Sequence, residues 1–579
     1  MVGVSAHVVR VSGSLVELVG LSGAAMFDVV ALGEAELPGE VVAIDGDRVT
    51  VQAYEDTGGL APGATAVSRG EPVSALLGPG LLGGVYDGLL RPLRDAGTWL
   101  TPGAMRRRQD PRRWEFTPTV TVGQQVSPGD ELGTVGGGGP VPLRVLVPPD
   151  KGGRVSRVLR AGTYASDAAV ATVAGVDVPL TQAWPVRRAR PSRERRDTAE
   201  PLQTGQRVLD LLYPIARGSS AAVPGGFGTG KTVLLQQIAK WCDADVIVYV
   251  GCGERGNEMA DVVAELDALE DPRTGEKLVR RTVVIANTSN MPMMAREVSI
   301  YTGVTVAEYF RDLGLHVVLI ADSTSRWAEA LREFASRTGA LPAEEGYPAG
   351  LASALAAFYE RAGHVVTLGG RTGSVTIIGA VSPPGGDLTE PVTAHTQRFV
   401  RSVWTLDRDL AYARHYPAVA WAGSFSRDAA VLASWHVGAG DPLWAHRRGR
   451  VTSLLAEADR LAALAELVGV GAMPGAERVV LLAGRLLREG VLQQSALSRT
   501  DAFCSAAKGA ALVDAVLAVV DRCRSLVDAG LPAATVEELD FGPLLRAREE
   551  TGPEDVDGVR EHQRDMLARL SEVAEGELP

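Results

Sequence analysis

A glycine-rich loop at residues 225–232 is the strongest chemical signal in the sequence. It reads GGFGTGKT and matches the phosphate-binding pattern GxxxxGK[ST]. Glycines let consecutive backbone N–H groups converge on phosphate oxygens, Lys231 supplies a mobile positive charge for the β- and γ-phosphates, and the Thr232 hydroxyl can ligate magnesium. The loop residues predicted to bind a nucleotide are Gly226, Gly228, Thr229, Gly230, Lys231 and Thr232.

Two acidic residues follow apolar runs that are typical of buried strands. Asp322 ends the run HVVLIAD, where a carboxylate can hold the second shell of a magnesium ion, although an aspartate that caps the next helix would give the same pattern. Glu254 and Arg255 follow the run DVIVYVGCG, at the strand end where open α/β sheets bind ligands. A carboxylate there can orient the water that attacks a γ-phosphate; a surface ion pair is the alternative interpretation.

The elements that must position these residues are predicted from the apolar pattern. Strand-like runs alternate with helix-length amphipathic segments between residues 200 and 430, which predicts parallel strands joined by crossover helices. Short alternating runs indicate β-structure near the N-terminus, and Leu- and Ala-rich segments with helical spacing follow residue 430. We predict a β-barrel at 1–69, a connector at 70–115, a β-rich insertion at 116–185, a nucleotide-binding α/β domain at 186–430 and a helical domain at 431–579.

Composition narrows the classes of function. The chain has 579 residues, 46% apolar and 22% charged, with a net charge of −12, so it is expected to fold and to be a poor partner for nucleic acid. Its four cysteines are widely separated, which argues for a reducing compartment and against a zinc cluster. We find no secretory signal and no long uncharged apolar run, so we predict a cytoplasmic protein that meets a membrane only through partners.

A basic run between Arg187 and Arg196 contains six arginines. It could contact RNA, but it stands beside Pro185 and Pro191 in an acidic chain. We therefore predict a solvated linker.

Longer segments resemble, in order and spacing, the catalytic A subunit of the V-type and A-type rotary ATPases. They are PGGFGTGKT, GCGERGNE, ADSTSRWAEALREF, GYPAG, SPPGGDLTEPVT and HYPAVAW, together with TGQRVLD at 204–210 and GPGLLGGVYDGLLRPL at 78–93. The resemblance implies an N-terminal β-barrel, a β-rich insertion peculiar to A subunits, a RecA-like P-loop core and a C-terminal helical bundle. It also implies Mg²⁺-dependent hydrolysis or synthesis of ATP, coupled to transport of protons or sodium ions.

The resemblance also assigns roles to the residues of the site. It implies that Lys231 and Thr232 hold phosphate and magnesium, that Glu254 positions the attacking water, and that Arg255 contacts the terminal phosphate. Asp322 becomes the Walker-B carboxylate, which reaches the metal partly through water.

The residues around the base are also implied by the resemblance. Phe227 is expected beside the nucleotide, Tyr416 and Pro417 of HYPAVAW near the adenine, and the pair Gln493 and Gln494 in the helical domain. An interpretation as a core tyrosine and an exposed helix face stays open. The family usually has QQNAF where this chain has QQSAL, so an aromatic residue is missing at position 497, and its loop more often reads GPFGSGKT.

Partners follow from the resemblance as well. Three such subunits are expected to alternate with three non-catalytic B subunits in an A₃B₃ ring, with central-shaft and peripheral-stalk subunits and a membrane sector that moves the ions. The B subunit would supply an arginine finger, so the isolated chain is expected to be a feeble ATPase.

Two alternatives belong to other classes of function. A non-catalytic nucleotide-binding ring subunit is disfavoured because Lys231, Glu254 and Asp322 are all retained. A RecA-like hexameric nucleic-acid motor is disfavoured by the acidic balance and by the absence of an aromatic-interleaved basic groove in residues 1–69.

Overall fold

The computed structural model describes residues 4–94, 96, 112–137, 139, 141–197, 200–271 and 273–576. The middle of the predicted connector, residues 97–111, lies outside this set. The chain divides into two compact units. Unit 1 contains Met1–Asp197, Ala244–Val381 and Thr389–Phe399, and unit 2 contains Thr198–Asp243, Ser382–Leu388 and Val400–Pro579.

The N-terminal strands form a closed barrel in unit 1. They are β1 (Val4–Ser12), β2 (Leu15–Val19), β3 (Asp28–Leu32), β4 (Leu37–Asp45), β5 (Arg48–Ala53) and β6 (Thr65–Pro72), ordered β1-β2-β5-β4-β3-β6. Alternate residues point inward, so Val16, Leu18 and Val51 are fully buried in one apolar cluster. Closure pairs every strand edge. The predicted N-terminal β-barrel is confirmed.

A second set of short strands follows the barrel in unit 1. Its members are β7 (Ser74–Leu77), β8 (Val85–Tyr86), β9 (Arg113–Pro118), β10 (Gln125–Val126), β11 (Glu131–Gly136), β12 (Leu143–Leu146), β13 (Gly153–Val158), β14 (Gly162–Ala165), β15 (Ala169–Val173), β16 (Val176–Pro179) and β17 (Gln182–Pro185). They form the sheets β12-β11-β9-β14 and β10-β13-β15-β16, and β17 pairs with β7. Gly129 has φ +81°, and a Cβ there would lie 2.6 Å from Leu368 Cβ, so glycine permits this β-rich layer to pack closely on the loop that follows residue 366.

The prediction that the basic run is a solvated linker is wrong for two of its arginines. Arg187 forms ion pairs with Glu40 at 3.1 Å and Glu297 at 2.7 Å, and Arg190 pairs with Asp312 at 2.7 Å. The acceptors are buried or nearly so, and they lie far away in the sequence. A charge count along the run could not reveal them, because desolvated pairing depends on the tertiary fold.

The chain from residue 186 to 430 alternates strands and helices. The strands are β18 (Glu194–Arg196), β19 (Pro201–Leu202), β20 (Ile215–Ala216), β21 (Ser220–Pro224), β22 (Val246–Cys252), β23 (Thr282–Asn287), β24 (His316–Asp322), β25 (Gly363–Val366), β26 (Thr372–Val381), β27 (Ser402–Val403) and β28 (Phe425–Ser426). The helices are α1 (Arg207–Leu212), α2 (Lys231–Trp241), α3 (Gly256–Ala268), α4 (Met293–Asp312), α5 (Thr324–Arg337), α6 (Leu351–Tyr359), α7 (Pro391–Phe399) and α8 (Arg408–Tyr412).

The part of this α/β region in unit 1 is a parallel sheet in the order β26-β24-β22-β23-β8. Strands β22 and β23 are buried at every position and carry near-continuous apolar runs, as parallel strands covered on both faces require. Gly251 of β22 pairs in register with Asp322 of β24. The carboxyl ends of these two strands therefore lie side by side.

Unit 2 contains the strands around the glycine-rich loop and the C-terminal helices. Strand β21 is short and fully buried, and it pairs in parallel with β27, which pairs with β28. The helices are α9 (Ala429–Gly438), α10 (Trp444–Val468), α11 (Gly475–Leu487), α12 (Ala506–Asp528), α13 (Ala533–Glu537), α14 (Gly542–Glu550) and α15 (Val556–Glu575). A Cβ on Gly484 would lie 2.5 Å from Ala458, so glycine lets α10 and α11 approach closely. The predicted helical C-terminus is confirmed.

Among the helices that the structure describes, none combines enough length with enough apolar character to span a bilayer.

Candidate nucleotide site

The glycine-rich loop joins β21 to α2 in unit 2, as its pattern predicts. Helix α2 begins at Lys231, and Gly230 precedes it with φ +85°, while Gly228 has φ +79°. L-residues with a side chain rarely adopt these angles, so both positions require glycine. The loop therefore presents its backbone at a helix N-terminus, where unpaired N–H groups and the helix dipole favour an anion.

Contacts within the loop hold its lysine and threonine. Lys231 Nζ donates hydrogen bonds to the carbonyl oxygens of Gly225 at 2.6 Å and Gly226 at 2.8 Å. Thr229 is 2% exposed, and its hydroxyl donates to the Gly226 carbonyl at 2.9 Å. The ammonium group thus lies against the loop itself, on a side chain long enough to move to an acceptor bound in the loop.

Aromatic residues lie in and beside the loop. The ring of Tyr416 comes within 3.5 Å of the position of a Cβ on Gly230, and the residue is 42% exposed. Phe227 is 88% exposed at the tip of the loop, and Leu497 is 97% exposed. The structure therefore brings Tyr416, and with it Pro417, next to the glycine-rich loop.

The two glutamines of the helical domain have different surroundings. Gln494 is 3% exposed; its Oε1 accepts from the Arg207 backbone N–H at 2.8 Å, and its Nε2 donates to the Gly205 carbonyl at 2.8 Å. Its own backbone N–H donates to the Tyr416 carbonyl at 2.8 Å. The side chain of Gln493 is only partly buried and makes a long, 3.5 Å contact to the Arg414 carbonyl. Gln494 is thus committed to backbone partners, whereas Gln493 is more accessible.

The acidic residues predicted to act on water and metal belong to unit 1. Glu254 follows the end of β22, and Asp322 ends β24. Burial, reinforced by the negative charge of Asp322, raises the pKa of Glu254 to about 7, while the Arg326 guanidinium acts in the opposite direction. A carboxyl group with a pKa near neutrality can exchange a proton with solvent at working pH. Such shifts are typical of functional sites.

Backbone geometry and a buried phenol fix the positions of these acids. Tyr249 donates a hydrogen bond to Asp322 Oδ2 at 3.1 Å, and both side chains are buried. Gly253 has φ +73°, and a Cβ there would lie 2.7 Å from Arg326 Cβ. Only glycine fits at this turn, and the turn directs the chain from β22 to Glu254.

Arg255 is the most exposed member of the predicted catalytic set. Its side chain is 71% exposed, and its Nε lies 3.9 Å from Glu258 Oε1. An ion pair this long and exposed contributes little stability, so the guanidinium is available to other anions.

Sequence reasoning missed Tyr249 and Arg326, which influence the two acidic residues directly. A signal existed for both: Arg326 lies four residues after Asp322, in the first turn of α5, and Tyr249 lies in the apolar run that precedes Glu254. Taken alone, a tyrosine inside an apolar strand indicates only core packing.

The available donors suit magnesium. Thr232 offers a hydroxyl at the start of α2, and Asp322 offers a carboxylate; hard oxygen ligands of this kind are what Mg²⁺ prefers. Within the described residues, no cluster of three or more His, Cys, Asp or Glu side chains could hold a metal by itself. A metal held by one or two protein oxygens, water and substrate phosphates is the usual arrangement for Mg²⁺.

A glycine-rich loop that begins a helix, and a parallel sheet with acids at its strand ends, define a P-loop nucleotide-binding protein. Family models agree. The nucleotide-binding domain of the ATP synthase alpha/beta family matches residues 205–426, and the beta-barrel domain of that family matches residues 8–70. The ATP synthase alpha/beta subunit barrel-sandwich domain matches residues 107–187, and the C-terminal domain of V and A type ATP synthase matches residues 433–533.

Relatives identify the branch of this family. A V-type ATP synthase alpha chain of Anaeromyxobacter sp. (strain K) is 49% identical over 576 residues, covering 98% of this chain and 99% of its own. A-type ATP synthase subunits A of Haloferax volcanii and Methanopyrus kandleri are each 46% identical, with 93% of both chains covered. The chain belongs to the family of V-type ATP synthase alpha chains and A-type ATP synthase A subunits. The class predicted from the motifs is confirmed, and the comparisons give no support to a nucleic-acid motor.

Proposed function

We propose that this chain binds ATP and ADP at the loop of residues 225–232 and interconverts them as the catalytic subunit of a V/A-type rotary ATPase. The observation that carries the proposal is the geometry of the loop. Its glycines adopt positive φ just before α2, and the Lys231 ammonium donates hydrogen bonds to two carbonyl oxygens of the loop. Phosphate oxygens bound in the loop would replace those carbonyls as acceptors, because a charged acceptor makes the stronger hydrogen bond.

Magnesium would be held by Thr232 directly and by Asp322, partly through water. When bound there, magnesium would supply positive charge against the charge that develops on the phosphates. Tyr249 would keep one carboxylate oxygen of Asp322 engaged and so fix the direction of the other. This use of a neighbouring hydrogen bond to orient a metal-binding group is common.

Glu254 would align the attacking water with the terminal phosphate. Its carboxylate would also polarise that water by accepting a hydrogen bond from it. Its pKa of about 7 suits that task, because the carboxylate is present at neutral pH and is basic enough to polarise water. Arg255 would contact the terminal phosphate with its exposed guanidinium. Transfer would be in line to water, with positioning and charge stabilisation supplying the catalysis and no covalent intermediate.

The base would lie against Tyr416 and Pro417, with Phe227 at the tip of the loop and Gln493 accessible nearby. Tyr416 supports this part of the proposal, since it is half exposed and adjacent to Gly230. Stacking on an aromatic ring is worth about 1–3 kcal/mol per base in nucleic-acid proteins, which is enough to contribute to affinity. Gln494 would not contact the base. It would help to position Tyr416, because its backbone N–H donates to the Tyr416 carbonyl.

The active assembly would be a ring in which this chain alternates with B-type subunits, attached to shaft, stalk and membrane sectors that move protons or sodium ions. The complex would place the chain at the cytoplasmic face of a membrane. A B-type arginine completing the site would raise turnover by about 10³ to 10⁵, so the chain alone should hydrolyse ATP slowly.

Two substitutions test the proposal. Lys231→Ala should abolish nucleotide binding by the full chain, and Glu254→Gln should leave binding nearly intact while removing hydrolysis in a ring reconstituted with B-type subunits. Glu270→Gln is the matched control, because Glu270 is an exposed glutamate of unit 1 that pairs with Lys277 at 3.4 Å. Calorimetry with MgADP and a phosphate-release assay give the readouts. Turnover retained by Glu254→Gln would overturn the role assigned to that carboxylate.

A further inference from the structure

Arg207 is the most heavily bonded buried cation near the Tyr416 segment in unit 2. It begins α1, is 3% exposed, and its Nη1 lies 2.6 Å from Asp501 Oδ1 in an ion pair whose aspartate is fully buried. Its Nε donates to the Val491 carbonyl at 2.7 Å, and its Nη2 donates to the Gln493 carbonyl. One guanidinium therefore holds two carbonyls of the segment that contains the glutamine pair.

The same segment is held from its other end. Asp501 Oδ2 accepts from the Ser495 backbone N–H at 2.8 Å and from Arg548 Nη1 at 2.6 Å. The Arg207 backbone N–H donates to Gln494 Oε1 at 2.8 Å. Residues 491–495 are thus fixed by one neutral hydrogen bond and by several bonds to the Arg207 guanidinium or the Asp501 carboxylate, and such charge-assisted bonds are about twice as strong as neutral ones.

This segment is in direct contact with the loop that carries the aromatic residue. The Gln494 backbone N–H donates to the Tyr416 carbonyl at 2.8 Å, and the Tyr416 ring reaches the side of Gly230 in the phosphate loop. A short chain of contacts therefore leads from Arg207 through Gln494 to Tyr416. The first two links are hydrogen bonds to backbone groups, so neither can shift without leaving a polar group unpaired.

We infer that Arg207 is a positioning residue for the nucleotide base: by fixing residues 491–495, it holds Tyr416 at the edge of the phosphate loop where the base binds. The inference rests on the proposed function, because it assumes that a nucleotide occupies the loop. Arg207 itself does not touch the nucleotide in this proposal. Its three acceptors are bonded by three different nitrogens of the guanidinium, and the single nitrogen of a lysine cannot occupy all three positions.

Arg207→Lys tests the inference in the full chain, with MgADP affinity measured by calorimetry. We expect the Kd to rise about tenfold, the equivalent of one lost hydrogen bond to a charged group. The decisive measurement is a double-mutant cycle with Tyr416→Ala. If Arg207 acts through Tyr416, Arg207→Lys should change the Kd by less than about twofold once the ring is absent, because coupled residues are not additive.

Arg447→Lys is the matched control. Arg447 is also a largely buried arginine of unit 2, paired with Asp514 at 2.8 Å and Asp441 at 2.6 Å, and among the described residues its polar partners lie outside residues 491–495. The substitution Arg447→Lys should lower the melting temperature of the chain without changing the Kd for MgADP. If Arg207→Lys does not fold, Asp501→Asn replaces it in the same cycle, since it weakens the same ion pair from the other side.

The outcomes separate the inference from the proposed function. An unchanged Kd in Arg207→Lys, or a full tenfold effect that persists in the Tyr416→Ala background, overturns the positioning role while nucleotide binding by the wild-type chain stands. A wild-type chain that does not bind MgADP, or a Lys231→Ala chain that binds it equally well, overturns the proposed function instead.

Discussion

The phenol of Tyr249 donates a hydrogen bond to Asp322 between two neighbouring parallel strands, with 3.1 Å between Oη and Oδ2. Gly251 and Asp322 are paired in register, so Tyr249 lies two residues before the partner of the aspartate on β22. Residues two apart on a strand point to the same face, which brings the phenol and the strand-end carboxylate to one side of the sheet. The orientation of the predicted metal-binding acid is therefore set by a residue on another strand.

Tyr249→Phe should weaken the response to magnesium without unfolding the chain. Loss of the hydroxyl removes one hydrogen bond that orients Asp322, and substitution of a residue that orients a metal ligand typically costs about 10- to 100-fold in metal affinity or activity. We expect the Mg²⁺ concentration for half-maximal ATP hydrolysis by the reconstituted ring to rise about tenfold. Tyr309→Phe, which removes the hydroxyl of another buried tyrosine, should leave it unchanged. Equal magnesium dependence in both variants would contradict the prediction.

The pH dependence of turnover should report the titration of Glu254. Its pKa is raised to about 7 from an ordinary value near 4.5, so the carboxyl is protonated at pH 6 and ionised at pH 8. Only the ionised form can polarise water, hence kcat/KM should rise across this interval with a midpoint near 7. Glu270→Gln, which removes an exposed carboxyl group of unit 1, should leave the step and its midpoint unchanged.

A charge substitution checks the assignment of that step. Because the Arg326 guanidinium lowers the pKa of Glu254, Arg326→Gln should move the midpoint of the kcat/KM profile to higher pH. Arg332→Gln, a change of the same kind further along α5, should leave the midpoint in place. A midpoint that moves down in Arg326→Gln would assign the step to another group.

Gly253→Ala should disturb the turn that positions Glu254 after β22. The positive φ of +73° costs a residue with a side chain about 1–2 kcal/mol, and the added Cβ would lie 2.7 Å from Arg326 Cβ. We expect the free energy of unfolding to fall by about 2 kcal/mol or more and kcat to fall with it, because overpacking also displaces neighbours. Gly256→Ala is the control, since its Cβ would meet nothing within 4 Å. Urea denaturation and steady-state kinetics measure both effects.

Local patterns predicted much of this molecule. The glycine-rich loop begins a helix because φ-permissive glycines and an apolar helix face are encoded within about twenty consecutive residues. The buried runs before Glu254 and Asp322 form parallel strands because continuous apolar character over five to seven residues requires cover on both faces. The fold class and the family follow from such segments, and both are confirmed.

Interactions between distant residues could not be predicted in this way. Arg187 is more than 100 residues away in sequence from both of its carboxylate partners, Glu40 and Glu297. No residue near it in the sequence indicates that it forms these ion pairs. Arg207 and Asp501 are 294 positions apart, although they share a buried ion pair. The roles of individual residues in binding and catalysis stay predictions, because they depend on the position of a ligand as well as on the fold.

Substitutions of the neighbouring residues Gln493 and Gln494 should have different effects on the stability of the chain. Gln494→Ala would leave the buried Arg207 N–H without its acceptor, at a cost of about 1–3 kcal/mol, and would leave the Gly205 carbonyl with only the Cys504 N–H as a donor. Gln493→Ala removes only a 3.5 Å contact from a partly exposed side chain, so its effect on the free energy of unfolding should stay within about 0.5 kcal/mol. Urea denaturation of the full chain separates the two. Gln493 is the accessible glutamine near the proposed base pocket, so Gln493→Ala should instead weaken MgADP binding severalfold. A larger loss of stability in Gln493→Ala than in Gln494→Ala would contradict this division of roles.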